Sequence, residues 1–343
     1  MRPRVLISDE LSKTSVECLE AAGCDVTYQP QLGRTGEVGS VIGGYDGLVV
    51  RSATKVSSPL LGHAHRLKVI GRAGIGVDNV DIPSATARGI VVMNTPHGNS
   101  VTTAEHTIAM IMALARHIPR ADAATRSGVW EKTKFMGTEL RGKTLGIVGC
   151  GNIGALVAEL AIGLKMRVIA SDPALNRFRA AALGVESVTL SDLFANADVI
   201  TLHNQLTQQT RHLINAETLR SARVGVRIVN CARGGLVDEA ALADAIRSGH
   251  VAGAALDVFE TEPAIASPVF GLPGVVCTPH LGASTFEAQE RVGTQIAEQV
   301  GRFLCSGEIV NAVNSVAVKP VHRGLRAHEL PAMAGFIAHL PAA

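Results

Sequence analysis

The chain has 343 residues, room for two domains of ordinary size. Apolar residues make up 47% and charged residues 18%, a composition that builds globular cores and does not suit a disordered chain. A formal charge of +2 with no dense Lys/Arg stripe argues against an electrostatic DNA surface, and an aromatic share of 3% against base-stacking platforms for single strands.

Short β-branched runs alternate with helical stretches, the pattern of a parallel sheet covered by helices. Met1-Arg2-Pro3-Arg4 leads straight into the strand-like run Val5–Ile7, with no signal-peptide core between them. Further runs follow at Asp25–Tyr28, Gly47–Val50, Val69–Gly71 and Ile90–Met93, with helices expected over Ser12–Ala22 and Ile82–Arg88. The runs end in Asp9, in Arg51-Ser52, in Arg72-Ala73-Gly74 and in Asn94-Thr95-Pro96. Ligands of open α/β sheets sit outside the carboxyl ends of strands, which brings Arg51 and Arg72 to one edge.

The apolar spacing of Ile108, Ile111, Met112 and Ala115 predicts a long helix over Val101–His117, ended by Pro119. Residues 120–141 hold the single tryptophan, Trp130, and the charged patch Glu131–Lys134, and are too long for a plain connector. A second series of runs then begins: Thr144–Val148, Arg167–Ser171, Val199–His203, Val226–Asn230, Ala252–Leu256 and Val275–Cys277. A last helix is expected over Thr285–Leu304, and the tail from about Ser315 to Ala343 shows no sustained period. If that helix packs back on the first series, the second series is inserted into a split domain. The expected division is 1–97 plus 284–314 around 98–283, with an excursion near 119–141 and 315–343 left unassigned.

No apolar run reaches the roughly 18 residues of a membrane helix. The six cysteines are scattered with no CxxC, which reads as reduced cytoplasmic thiols, mostly small core residues, and no metal site.

Gly149-Cys150-Gly151-Asn152-Ile153-Gly154 follows a strand and opens a helix expected over Ala155–Gly163. Such glycines allow a tight turn and close approach of a pyrophosphate to the helix N-terminus. The next strand ends at Asp172, 18 residues after Gly154, where a carboxylate accepts from both ribose hydroxyls and repels a 2′-phosphate. NAD is therefore expected over NADP.

Gly71-Arg72-Ala73-Gly74-Ile75-Gly76 is spaced differently and reads as a loop offering backbone N–H groups and Arg72 to an anionic substrate. Arg233, in Asn230–Gly235, stands at a strand end before two glycines, placed to pair with a carboxylate. Two histidines also stand at strand ends, His203 and His280, and either could exchange a proton near neutral pH. His280 is next but one to Gly282 and has upstream carboxylates in Glu260 and Glu262. A carboxylate beside the ring favours the imidazolium, which suits a group taking a proton from an alcohol as hydride leaves.

Together these residues resemble the D-isomer-specific 2-hydroxyacid dehydrogenases over about residues 3–314. The likeness is carried by YDGLVVRSATKV, GRAGIGVDNVD, VVMNTPHGNS, VRIVNCARGGLVDE, AGAALDVFETEP and TPHLGAST. It implies a Rossmann NAD-binding domain inserted into a split flavodoxin-like substrate domain. It carries the family's Arg, Glu and acid/base His to Arg233, Glu262 and His280, a choice that spacing alone leaves open. It implies NAD contacts at Ile75, Gly149, Gly151, Asn152, Ile153, Gly154, Asp172, Asn204, Cys231, Ala232, Arg233, Asp257, His280, Gly282 and Ala283. Substrate contacts are implied at Arg51, Ser52, Arg72, Ala73, Gly74, Arg233 and His280, joined by Lys132 or Lys134 of a second subunit.

The implied reaction is NAD-dependent oxidation of 3-phospho-D-glycerate to 3-phosphohydroxypyruvate, the first step of serine biosynthesis. The implied assembly is a homodimer or tetramer, with the Trp130 excursion reaching the partner. Rival readings are a glyoxylate/hydroxypyruvate reductase and, in another class, a non-catalytic NAD(H)-sensing corepressor. The sequence departs from the family pattern at His203-Asn204-Gln205-Leu206, commonly His-Thr-Pro-Leu, and at Asn152, where Arg is frequent. The short stretch after Asn314 leads to the expectation of no serine-sensing domain.

Overall fold

Five strands, β1 (Arg4–Ile7), β2 (Asp25–Tyr28), β3 (Gly47–Val50), β4 (Val69–Arg72) and β5 (Val91–Met93), form a parallel sheet in the order β2-β1-β3-β4-β5. This is the flavodoxin-like order, with its switch point between β1 and β3. The computed structural model describes residues 1–316; of the tail left unassigned above, residues 317–343 lie outside the described residues.

The second parallel sheet holds β6 (Thr144–Val148), β7 (Arg167–Ser171), β8 (Glu186–Ser187), β9 (Val199–Leu202), β10 (Val226–Asn230), β11 (Val251–Leu256) and β12 (Val275–Cys277). Its order, β12-β11-β10-β9-β6-β7-β8, is the Rossmann order extended by one strand, with the switch point between β6 and β9. β8 escapes the sequence reading because it is two residues long and both are exposed. The central strands β3, β6 and β9 are buried at every position, as parallel strands covered on both faces must be.

The last helix, Phe286–Ser306, returns to the first sheet. Val292, Ile296, Val300 and Phe303 join the core formed by Val5, Ile7, Val49 and Val69. Each such buried side chain contributes about 1.5–3 kcal/mol before entropy is set against it. The helix sits close because the strands present glycine beneath it: a Cβ on Gly71 would lie 2.6 Å from Val300 Cγ2. The chain then runs beside β5, where Val313 N donates to Val92 O at 2.8 Å. The Rossmann unit is thus inserted between the two parts of the flavodoxin-like one.

The long helix spans Ser100–Ala115 and ends earlier than its periodicity suggests. His117 turns left-handed at φ 56, and a second helix, Ile118–Arg126, starts there. Pro119 lies in its first turn, so it opens a helix and does not end one; a proline has no N–H to lose at that place. The Lys132–Phe135 stretch adds a short 3-10 turn. The cysteines divide: Cys24, Cys150 and Cys231 are buried, Cys18 and Cys305 half-buried, and Cys277 exposed.

Candidate active site

The glycine turn leaves β6 at the switch point of the second sheet. Gly149 has φ +88, and a Cβ there would stand 2.8 Å from Asn204 N beyond β9. A Cβ on Gly154 would lie 2.2 Å from Gly149 O, so helix and turn meet only because residue 154 has no side chain. Gly151 faces open space, with nothing within 4 Å of an added Cβ. It caps a helix that begins at Asn152, three residues earlier than expected, and no side chain occupies the cap. The first-turn N–H groups are left to an anion, which is how this turn fits a pyrophosphate.

Asp172 follows β7 and reaches back: Oδ2 accepts from Cys150 N and Oδ1 from Ala174 N, both at 2.7 Å. The carboxylate is thereby fixed beside the glycine turn with lone pairs to spare for ribose hydroxyls. Asn152 Nδ2 donates to Pro96 O at 3.4 Å, tying the turn to the other unit. Cys231 is buried and its thiol is pushed up to about 12, so only its backbone can face a cofactor. Asn204 donates to Gln205 O, and its Oδ1 is buried without a partner.

His280 stands three residues past the end of β12, with φ 57, and its N–H donates to Asp257 O at 2.8 Å. Its Nδ1 lies 2.7 Å from Glu262 Oε2, and Glu262 Oε1 accepts from Phe259 N at 3.1 Å. Burial pushes the Glu262 carboxyl up, but the His280 ring and the Phe259 N–H outweigh burial and hold it below the usual range. The ring meets Glu262 through Nδ1, with Nε2 on its opposite side. Glu260 pairs instead with His212 and, at 3.8 Å, with Arg211. His203 is no rival: burial pushes it down to about 4, its Nε2 meets Thr201 Oγ1 and its Nδ1 is buried unpartnered. Of the two upstream carboxylates, Glu262 is the one that lies against His280, and Glu260 lies against His212.

Three arginines gather between the sheets. Arg233 Nε donates to Asp78 Oδ2 at 2.7 Å and Nη1 to Ala232 O at 2.6 Å. Its head lies so close to Gly76 that a Cβ there would meet Nη2 at 1.7 Å. The next residue, Gly234, packs against the carbonyl of Phe259, so the arginine loop touches the loop that carries Glu262. Arg72 extends from β4, gives one bond to Ala73 O at 3.3 Å and keeps Nε buried without a partner. Burial, with Arg233 and Arg51 nearby, pushes its pKa down to about 10. Arg51 and Ser52 head a loop at the switch point of the first sheet. There the buried Asp9 accepts from Arg51 N at 2.6 Å and from Thr54 Oγ1 at 2.6 Å.

Some expected contacts are not brought together. Asp257 is fully buried, and its oxygens accept from Thr278 Oγ1, Leu281 N and Gly282 N at 2.6–2.8 Å. Those bonds tie the carboxylate into the 278–282 turn. Gly282 is buried in that turn, with Ala283 half-buried beside it. Ile75 is half-buried and its carbonyl already accepts from Asn94 Nδ2 at 2.6 Å. Lys132 and Lys134 are exposed, and Lys134 pairs with Glu131 at 2.7 Å; no hydrogen bond ties either to the Arg51 loop of the same chain. Ala73 and Gly74 are buried beneath Arg72, and Ala232 and Ile153 are half-buried at the turns they belong to.

Asp78, Asp9, Thr103 and Glu239 escape the sequence reading as site residues. Asp78 stands two residues beyond Gly76, inside the motif that carries Arg72, where a carboxylate partner could have been sought. Glu239 is buried in the first turn of its helix and accepts from Glu260 N at 2.7 Å, a contact no spacing reveals. Among the described residues no group of His, Cys, Asp and Glu could hold a metal ion.

Fold and site define an α/β protein with a dinucleotide-binding turn on one sheet, a His–carboxylate pair and a cluster of arginines. Residues 108–282 match the family described as "D-isomer specific 2-hydroxyacid dehydrogenase, NAD binding domain". The chain belongs to the D-isomer-specific 2-hydroxyacid dehydrogenases, and that segment is its NAD-binding domain.

The chain is 45% identical over 329 residues to D-3-phosphoglycerate dehydrogenase of Bacillus subtilis (strain 168), covering 93% of this chain and 62% of that protein. It is 49% identical over 313 residues to the enzyme of the same name from Mycobacterium tuberculosis (strain ATCC 25618 / H37Rv), covering 91% and 59%. It therefore spans about three-fifths of those relatives' length. The crystal structure of TT0316 protein from Thermus thermophilus is similar at 33% identity and TM-score 0.82, over 91% of this chain and 100% of that one.

Proposed function

We propose that the chain oxidises 3-phospho-D-glycerate to 3-phosphohydroxypyruvate with NAD, as the names of its relatives suggest for them. The carrying observation is the Glu262–His280 pair, held at 2.7 Å beside a loop whose arginine reaches across to the other unit. NAD when bound supplies the hydride acceptor. Gly149–Gly154 and the helix at Asn152 would hold its pyrophosphate, and Asp172 its ribose.

Arg233 binds the carboxylate of the substrate and steadies the C2 oxygen. His280 Nε2 accepts the hydroxyl proton as the C2–H bond gives up its electron pair, and Glu262 keeps the opposite nitrogen protonated and the imidazolium balanced. The products are a 2-oxo acid, the reduced cofactor and one proton on His280. Arg51, Ser52 and Arg72 take the phosphate. That reading accounts for a half-buried arginine whose Nε is buried without a partner and which stands near two like charges.

We further infer a homodimer through the 118–141 arm, which exposes Ile118, Trp130 and Met136 at 55%, 75% and 80%. Exposed apolar side chains clustered on one arm suit a partner surface.

The test is NADH formation from 3-phosphoglycerate and from unphosphorylated glycerate. A strong preference for the first, lost in Arg51→Ala, is expected; equal use of both would move the reading to a glyoxylate/hydroxypyruvate reductase. No turnover of any 2-hydroxy acid would move it to a sensor.

A further inference from the structure

The turn that carries His280 is anchored from below by the long helix Ser100–Ala115. Two of its side chains, one turn apart, reach the turn at separate points. Thr103 Oγ1 donates to Gly282 O at 2.9 Å. His106 Nε2 lies 3.2 Å from both Thr278 Oγ1 and Asp257 Oδ1. Thr278 Oγ1 donates its proton to Asp257 Oδ1 at 2.6 Å, so its oxygen is free to accept. The carboxylate can only accept. Both partners therefore require His106 Nε2 to carry the hydrogen, an assignment that follows from the network.

Asp257 is the hub. Its carboxylate takes the Leu281 and Gly282 amides, and its carbonyl takes the His280 amide. It is fully buried, and the His106 side chain is only 18% exposed. A buried carboxylate left one donor short distorts or relaxes its surroundings. Here the surroundings are the backbone of the acid/base histidine, held at φ 57, a conformation a non-glycine residue keeps only under restraint.

We propose that His106 is a positioning residue for the reaction. Through Asp257 and Thr278 it fixes the 278–282 turn, and so the His280 ring against Glu262. It touches neither substrate nor cofactor. Its effect falls on how often the ring is aligned, which lowers kcat and leaves substrate affinity alone. The inference uses the dehydrogenase reading for its kinetic readout only.

The experiment compares His106→Ala with His106→Gln, whose side-chain amide can place an N–H near the lost Nε2. In His106→Ala, kcat is expected to fall about 10-fold or more with KM for the hydroxy acid changed less than about twofold. His106→Gln is expected to recover most of the loss. In parallel, proton NMR follows the low-field Nδ1 hydrogen of His280, identified by its loss in Glu262→Gln. It is expected to broaden or shift in His106→Ala and to return in His106→Gln.

Wild-type kcat and an unmoved Nδ1 signal in His106→Ala would overturn the proposal. So would a fall in kcat that follows the melting temperature and is not restored by glutamine. If the wild type turns over no hydroxy acid, the reaction proposed above fails, and the Nδ1 signal still decides for or against His106.

Discussion

Glu262→Gln tests whether the carboxylate does more than fill space beside His280. Glutamine is nearly the same shape but carries one acceptor and one donor where glutamate carries two acceptors. Glu262 accepts at both oxygens, from His280 Nδ1 at 2.7 Å and from Phe259 N at 3.1 Å. Glutamine can satisfy one and must oppose the other. If its oxygen keeps the Phe259 amide, its NH2 faces Nδ1, which must then be the acceptor. The ring hydrogen moves to Nε2, and Nε2 can no longer take a proton from an alcohol.

The charge-assisted bond is also lost. Bonds to charged groups contribute about 1.5–3 kcal/mol against about 1 kcal/mol for neutral ones, so this alone lowers kcat/KM about 2- to 30-fold. The wrong tautomer adds to that, and the buried Asp of a serine protease triad shows a loss of about 10⁴-fold from the same kind of change. The expected result is a fall in kcat/KM of about 10²–10⁴-fold with NADH affinity unchanged, read by steady-state kinetics and by cofactor fluorescence. A fall under about threefold would refute the assignment of Glu262 as the group that sets the state of the ring.

Asp172→Ser removes the carboxylate fixed beside the glycine turn; KM for NAD is expected to rise about 10- to 100-fold and NADP use to improve, measured by initial rates with each cofactor. Gly71→Ala puts a Cβ 2.6 Å from Val300 Cγ2 and 2.8 Å from Ile296 Cγ1. It is expected to cost about 1–3 kcal/mol in denaturant titration, and a neutral result would mean that the returning helix is not seated there. Asp257 is raised by burial but held lower overall by His106, Thr278 and Leu281 N, below its ordinary 3.8. A depressed carboxyl stabilises the fold above its unfolded pKa and loses that contribution as pH falls through the folded one. Asp257→Asn is therefore expected to be less stable than wild type near neutrality, with the gap closing as pH falls below 3.8, followed by thermal melts across pH.

Strands are legible in the sequence where burial on both faces makes them continuous apolar runs, as in Gly47–Val50 and Thr144–Val148, where bounds and burial agree with the reading. β8 is invisible because an exposed pair such as Glu186-Ser187 carries no period. Pro119 misleads because proline marks both the stop of one helix and the first turn of the next, and only the left-handed His117 tells which. At the site, residues at strand ends are found because topology alone collects them at one edge. Asp78 and His106 are not, because each matters through a partner 155 or 172 positions away in the chain, and Asp9 is found as a strand end without its role toward Arg51 N.

What unites those hidden residues is that they work on charge or backbone that the readable residues present. Arg72, Arg51 and Arg233 come from three strand ends, and like charges at that separation repel. Asp78 offsets part of this by holding Arg233 Nε, and Asp9 offsets it at the base of the Arg51 loop. Neither reaches Arg72 Nε, which stays buried without a partner. A guanidinium with a buried free donor and two cationic neighbours is costly unless an anion completes it. An uncharged 2-hydroxy amide would supply none, a simple 2-hydroxy acid one carboxylate, and a phosphorylated one a carboxylate for Arg233 and a dianion for Arg51 and Arg72. Among these substrates, the cluster is balanced best by the one with two anionic ends.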